Sequence, residues 1–511
     1  QAAGAAALLV GAAKKAGIEL KTAELRQALI SSARLIDTNR YQVYEQGNGI
    51  VNVPAAWNLI KAGVKTTEIT SSVAVNTLLS GLLATPGFGQ GIYDREGVTL
   101  GQSYTRTYTF TRTKGPSRNI TYNLSWVAND GTFSSPSSVV LPLNTPVQLV
   151  VNVNPSSVGI HSAILNLDDA STVGIDYQTL NTVVVADQFS AANNYTVVKT
   201  GTVGRNQTLS YFFRVPAGTP ALKVDFSGPS GAAGTGQARF LRWHPYGVGI
   251  DSNGSTACYI PATDTCNGSS RTTSNPIAGV WEVTVDGRRT SDAANIPFTL
   301  SVSILGATIA PNPDVIGSAQ ANVGVNRSYT LTNQFGAFTG RAVGSNLGSA
   351  KIDRPTIANG ATQEFQVTVD AGSTALTARI GNPSDANSDL DLFVLNSSGV
   401  VVGQSADGDS EEAVTIANPS GTYTIRIDGY AVPSGSTAYD YLDVFQNTKF
   451  GTVAVTDADA VRAAGASWTV PGVVTAKVAP AAGRILLGNV LVRSGTITIG
   501  SSEVHVLSVT P

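Results

Sequence analysis

The stretch "ITYNLSWVAND", residues 120–130, places Ile120, Tyr122, Leu124 and Trp126 on one side and Thr121, Asn123 and Ser125 on the other. Side chains of a strand alternate between two faces, so this pattern predicts a half-buried strand. The pattern recurs on either side. "VQLVVNVNP" (147–155) aligns Val147, Leu149, Val151 and Val153. "SYTRTYTFTRT" (103–113) sets a threonine face against Tyr104, Arg106, Tyr108, Phe110 and Arg112. "GIHSAILNLDD" (159–169) points Ala163, Leu165 and Leu167 inward and ends on Asp168 and Asp169. Short alternating strands separated by polar turns predict an antiparallel sandwich.

Composition agrees. Only 13% of the 511 residues are charged, and there are 52 glycines and 23 prolines, which favours short strands and turns over helices. A chain of this length divides into several domains. The net charge of −2 gives no electrostatic case for nucleic acid or an anionic membrane. No apolar run is long enough for a transmembrane segment. Cys258 and Cys266 in "CYIPATDTC" are spaced to close a short loop, and a disulfide is expected there in an oxidising compartment. The chain has no methionine, so it is expected not to be a complete primary translation product.

The first residues differ in kind. "QAAGAAALLVGAAKKAG" (1–17) has an apolar run followed by Lys14 and Lys15. A signal peptide has its charges in front, so the run is read as a buried core helix. A second helix is expected from Thr22 to about Leu35, capped by Thr22, with Glu24 in its first turn. Gly47 and Gly49 mark a bend, and Pro54 can open a third helix. These pieces read as the trailing edge of an α/β domain.

"QAAGAAALLVGAAKKAGIELKTAELRQALISSAR" followed by "GNGIVNVPAAW" resembles the end of a subtilisin-like serine protease catalytic domain, over roughly residues 1–62. The resemblance implies that the catalytic serine precedes Gln1 and that the other triad members and the oxyanion-hole asparagine lie further upstream. No catalytic residue is therefore assigned in this chain. His161, His244 and His505 are read as strand or loop residues of the β-rich part. Residues 66–190 resemble the fibronectin-III-like domain that follows the catalytic domain in many large secreted subtilases.

An internal repeat follows. "VPAGTPALKVDF" (215–226) matches "VDAGSTALTARI" (369–380), and "NPIAGVWEVTVDG" (275–287) matches "NPSGTYTIRIDG" (418–429). The second copy resembles the bacterial pre-peptidase C-terminal domain. The expected fold is mainly β: tandem antiparallel β-sandwich or jelly-roll domains after a short α-rich remnant of an α/β subtilase domain. The expected boundaries are 1–65 (catalytic-domain end), 66–190 (fibronectin-III-like), 191–305 (first jelly-roll, with the Cys258–Cys266 loop), 306–348 (linking β segment), 349–445 (second jelly-roll) and 446–511 (C-terminal β segment pairing with 306–348).

The second copy carries "SDANSDLDLF", with Asp385, Asn387, Asp389 and Asp391, and later "DGDSEE", with Asp407, Asp409, Glu411 and Glu412. Asp389 and Asp391 share one strand face, and hard oxygen ligands suit Ca²⁺. Asp385, Asn387, Asp389, Asp391 and Asp409 are the expected metal ligands. The first copy has Gln237 and Arg239 near these positions, so no cation is expected there. Trp126 and Trp281 are read as core, and Trp243 in "FLRWHPYGVG" as the best candidate for a ligand-facing aromatic. The resemblances imply the non-catalytic C-terminal region of a secreted subtilisin-like endopeptidase. Its expected partners are the upstream catalytic fragment of the same precursor and polypeptide substrate. A self-assembling extracellular structural or adhesive protein, or a glycan-binding array, are the alternatives.

Overall fold

The computed structural model describes residues 1–38, 41–228, 234–251 and 269–511. Cys258 and Cys266, with the disulfide expected between them, lie outside the described residues.

The strands predicted by alternation form a two-sheet sandwich. One sheet runs in the order Phe88–Gly89, Ile69–Ala74, Tyr104–Arg112, Pro146–Val153, Phe133–Ser134. The facing sheet runs Tyr93–Asp94, Tyr177–Val185, Gly159–Asp168, Ile120–Val127, Ser138–Leu141. Tyr108, Phe110, Tyr122, Leu149, Val151, Ala163 and Leu165 are buried between them. Arg112 is also buried, on the inward face. Its guanidinium donates to the carbonyls of Leu141, Pro116 and Arg118 at 3.1, 2.6 and 2.7 Å, which satisfies the charge without a carboxylate.

The next sandwich, residues 187–305, pairs Gln207–Val215, Gly279–Gly287 and Ala238–Trp243 in one sheet. Its second sheet has the order Thr196–Gly204, Asn295–Leu305, Ala221–Ser227, Ser269–Ser274. Both arrangements then recur. Thr362–Val369, Gly421–Ala431 and Asp389–Asn396 repeat the first order, and Gly348–Asp353, Asp440–Gln446, Ala375–Gly381 and Ala413–Ala417 repeat the second. The repeat anchors of the sequence fall on equivalent strands in the two copies.

This second copy is inserted within a further sandwich that has the topology of residues 69–185. Ala307–Ala310, Gly324–Asn333, Ser467–Ala476 and Gly451–Val455 form one sheet. Asp314–Ile316, Ile497–Val506, Ile485–Ser494, Phe338–Gly344 and Ala460–Arg462 pair successively opposite it. The insertion falls between the strands equivalent to Ile120–Val127 and Phe133–Ser134. In both sandwiches a short strand pairs in parallel with a late one and carries a buried aspartate. Asp94 accepts from Arg106 twice at 3.0 Å and from the Tyr104 hydroxyl at 2.7 Å. Asp314 takes Arg327 Nε at 2.8 Å and the Tyr329 hydroxyl at 2.9 Å. The sheets are thus antiparallel apart from short parallel pairs at their edges. Gly348–Asp353 pairs with both Asp440–Gln446 and Ile485–Ser494, so the inserted and split sandwiches share one continuous sheet and one core.

Among the described residues, four helices precede the sheets: α1 (Ala2–Lys15), α2 (Thr22–Ser31), α3 (Val43–Gln46) and α4 (Val53–Lys61). Thr22 is the first helical residue of α2 and not its cap; the capping position is Lys21, whose N–H donates to Glu24 at 2.9 Å. Asn52 caps α4 by accepting the Ala55 N–H at 3.2 Å. At Gly49, φ is +110° and an added Cβ would lie 2.4 Å from the Arg34 carbonyl, so the bend requires glycine. The expected burial of α1 is only partly met. Leu9 and Ala13 are buried, but Leu8 is 67% exposed, because no other described element lies over that side.

Candidate functional site

The second copy concentrates carboxylates on the outer face of strand Asp389–Asn396. Leu390 and Leu392 point into the core, while Asp389 and Asp391 stand half-buried on the other side. The register slips between the two aspartates, and Asp391 sits directly opposite Asp428 of the neighbouring strand. Like charges in such a pair repel. The first copy resolves the same position differently. "VTVDG" (283–287) and "IRIDG" (425–429) align, which makes Asp286 equivalent to Asp428. Opposite Asp286 stands Arg239, at 2.7 Å from its carboxylate.

A loop then brings further acids up. Asp407, Asp409 and Glu412 offer oxygens that all lie within 4.8 Å of one another. Glu412 is 1% exposed; its Oε1 accepts the Asp407 N–H at 3.0 Å and its Oε2 the Ser405 hydroxyl. The loop is pinned to the strand by Leu390 N–H donating to the Asp409 carbonyl at 3.1 Å and by Ser410 Oγ donating to the Ser388 carbonyl at 2.6 Å. Asp389 Oδ1 is buried without a hydrogen-bond partner. Burial raises the Asp389 carboxyl above its ordinary value, and the charges of Asp407 and Asp409 raise it further. Asp391 is raised by burial and then by Asp389, Glu412, Asp428 and Asp407. This is a set of hard oxygen donors under mutual repulsion, and it can hold a metal ion.

Of the predicted ligands, Asp409 belongs to that cluster, with Asp407 and Glu412 of the "DGDSEE" run beside it; Asp389 and Asp391 stand outside the group of three, near enough to feel its charges. Asp385 serves elsewhere. Its Oδ1 accepts the Asn387 N–H at 3.1 Å and its Oδ2 the Ser434 N–H at 2.9 Å, bonds that hold its carboxyl below the usual value. Asn387 is an exposed residue of that turn.

Trp243 is half-buried. Its indole N–H donates to Thr284 Oγ1 at 3.3 Å, and its ring lies 3.2 Å from where a Cβ on Gly249 would stand. Tyr246, 43% exposed, lines an apolar groove with Leu79, Leu83 and Tyr93. His161 is 2% exposed, with Nδ1 at 2.6 Å from Asp130 and Nε2 facing the Ser157 carbonyl at 2.9 Å. A general base needs that second nitrogen beside a hydroxyl or water. His505 bonds Glu503 at 2.9 Å, and His244 packs on Trp281.

Residues 70–185 match the family described as the Ig-like domain in actinomycete serine proteases, where the sequence pattern had suggested a fibronectin-III-like domain. Residues 362–429 match the bacterial pre-peptidase C-terminal domain. Pyrolysin of Pyrococcus furiosus is 26% identical over 450 residues, which is 84% of this chain and 30% of that protein. The chain therefore spans less than a third of that curated relative. The crystal structure of tripeptidyl peptidase 2 aligns over 100% of this chain and 46% of its own, with a TM-score of 0.52 and 14% identity, a likeness of fold. Both matched domain types are typical of secreted proteases, and no helix among the described residues is long and apolar enough to cross a membrane. The chain thus joins an Ig-like domain of the actinomycete serine-protease type to a bacterial pre-peptidase C-terminal domain, with distant similarity to pyrolysin and tripeptidyl peptidase 2.

Proposed function

We propose that this chain is the non-catalytic C-terminal region of a secreted subtilisin-like serine endopeptidase. Its β-sandwiches stabilise the enzyme outside the cell, hold polypeptide substrate, or are trimmed on maturation. The observation that carries this reading is helix α1. An alanine- and leucine-rich helix buries only Leu9 and Ala13 against its neighbours and leaves Leu8 and Val10 exposed. Covering a leucine stabilises by about 1.5–3 kcal/mol, so an uncovered stripe of this kind is an association surface. The proposed cover is the body of the catalytic domain from the same precursor. The end of α2, the start of α3 and the turn after α3 are already fixed to the first sandwich. Ser31 Oγ donates to the Ile175 carbonyl at 3.0 Å, Gln42 Nε2 to that of Ile160 at 3.0 Å, and Asn48 Nδ2 to Gln178 at 2.7 Å.

A fluorophosphonate probe that acylates active serines tests this. Applied to the secreted precursor and its products, it is expected to label a polypeptide that co-purifies with this chain and to leave this chain unlabelled. Replacing Leu8 by Asp is expected to release the labelled partner. Labelling of the 511-residue chain itself would contradict the reading.

The cation we assign to the second copy is Ca²⁺, held by Asp389, Asp391, Asp407, Asp409 and Glu412. The buried, unpartnered Asp389 Oδ1 and the Asp391–Asp428 opposition support it. The ion would neutralise the site and tie the 406–412 loop to strand Asp389–Asn396, a structural role.

A further inference from the structure

A cleft of 420 Å³ opens where the inserted sandwich meets the split one. Its floor includes Ile352, 48% exposed, and Leu442; its rim carries Asp353, Glu411, Asp440 and Glu503. We infer that this cleft seats a short polypeptide segment presenting a lysine or arginine side chain. The inference deepens the proposal that these domains hold polypeptide, and it rests on that reading.

Two observations support it. The first is the duplication. The paired strands Gly159–Asp168 and Tyr177–Val185 of the first sandwich correspond to Ile485–Ser494 and Ile497–Val506 of the split one. By register, Val184 pairs Ile160 as His505 pairs Leu487, and Thr182 pairs Ser162 as Glu503 pairs Asn489. On the first sandwich this face is occupied by a polypeptide segment. Gln42 bonds the Ile160 carbonyl, and the Tyr44 N–H donates to Ser162 Oγ at 3.3 Å. On the split sandwich the equivalent face contributes Glu503 to the cleft, and among the described residues no helix lies on it.

The second is charge. Four lining carboxylates, leaving out buried Glu412 of the acidic cluster, stand against one lining guanidinium, that of Arg379. Arg379 is taken up by Glu503 at 2.9 Å, and Asp440 pairs with Arg354. Asp353 Oδ1 accepts the Arg354 backbone N–H at 2.8 Å and its Oδ2 lies 3.8 Å from Lys351, and Glu411 Oε1 accepts one backbone N–H, that of Asn382 at 3.2 Å. An apolar floor under uncompensated acids fits the long stem and cationic head of lysine or arginine. A simple cation would not use the floor.

The full chain, with Ca²⁺ present throughout, is titrated with a short labelled peptide of Gly, Ala and Leu carrying one arginine, and with the same peptide carrying citrulline. Fluorescence anisotropy is expected to show the arginine peptide bound about tenfold more tightly, a preference that fades with salt. The double variant Asp353→Asn, Glu411→Gln is expected to lose that preference with an unchanged melting temperature, and Ile352→Ser to weaken both peptides. Equal binding of the two peptides, or a double variant that keeps the preference, overturns the cleft assignment. Capture of reduced, unfolded lactalbumin tests the holding reading separately. Capture that survives the double variant removes the cleft and keeps that reading, and no capture at all removes both.

Discussion

The two copies of the smaller sandwich differ most instructively at one cross-strand pair. In residues 187–305, Arg239 faces Asp286 across the sheet at 2.7 Å, 16% and 22% exposed. In residues 348–446 the same lattice point holds Asp391 facing Asp428, surrounded by Asp389, Asp407 and Glu412. The strand order is the same in both, so the fold does not depend on how this charge is balanced. One copy balances it across the strands with Arg239; in the other Asp428 takes Arg426 of its own strand at 3.3 Å, and Asp391 is left among Asp389, Asp407 and Glu412, an excess of acid that a divalent ion can offset. A charge reversal on a shared backbone lattice thus separates a module with a cross-strand ion pair from one with an acidic cluster that could hold a metal.

The comparison is broken most severely by Arg239→Asp. This replaces a partly buried ion pair by two opposed carboxylates without the further ligands of the second copy. The expected cost is about 3 kcal/mol to the 187–305 sandwich, read as a lowered calorimetric transition that Ca²⁺ does not restore. Calcium itself should act on the other copy. At a hundredfold excess over its dissociation constant, it is expected to stabilise the inserted sandwich by about 2.7 kcal/mol, a gain abolished by Asp389→Ala. Asp391→Arg transplants the first copy's solution. In chelator it is expected to stabilise the inserted sandwich by about 1 kcal/mol, and the calcium response should disappear.

The smallest effect is that of pH. Asp389 and Asp391 are raised in the folded state. Without the ion, the folded chain therefore binds protons more tightly than the unfolded chain, and stability falls as pH rises through their titration. Calcium stabilisation is accordingly expected to shrink when melting is measured at pH 5 and then about 4. A calcium effect that grows on acidification would contradict this sign.

How far all this could be read from residues alone varies with range. Alternation placed Tyr108, Phe110 and even Arg112 on the correct inner face, because a period of two is a local property. Helix α3 escaped notice because Val43–Gln46 is too short to show a helical period. The expected end of α2 near Leu35 overshot Ser31, where the chain turns to pair Arg34 with Ile50, a contact no local pattern announces. The same limit applies at the acidic site. Asp389 and Asp391 were legible as a pair on one strand, and the arginine in the first copy was legible as a contrast. The opposition of Asp391 to Asp428 depends on pairing between distant strands, and the loop that brings Glu412 inward is folded by backbone bonds. Asp385 looked equivalent to its neighbours because composition cannot show that two backbone N–H groups already occupy its oxygens.

Scanning calorimetry of the full chain with increasing Ca²⁺, run beside isothermal titration, tests the contrast between the copies most directly. The account predicts heat of binding and an upward shift confined to the transition of the inserted and split sandwiches, with the 187–305 transition unmoved. No heat and no shift, or an equal shift in both transitions, would contradict it.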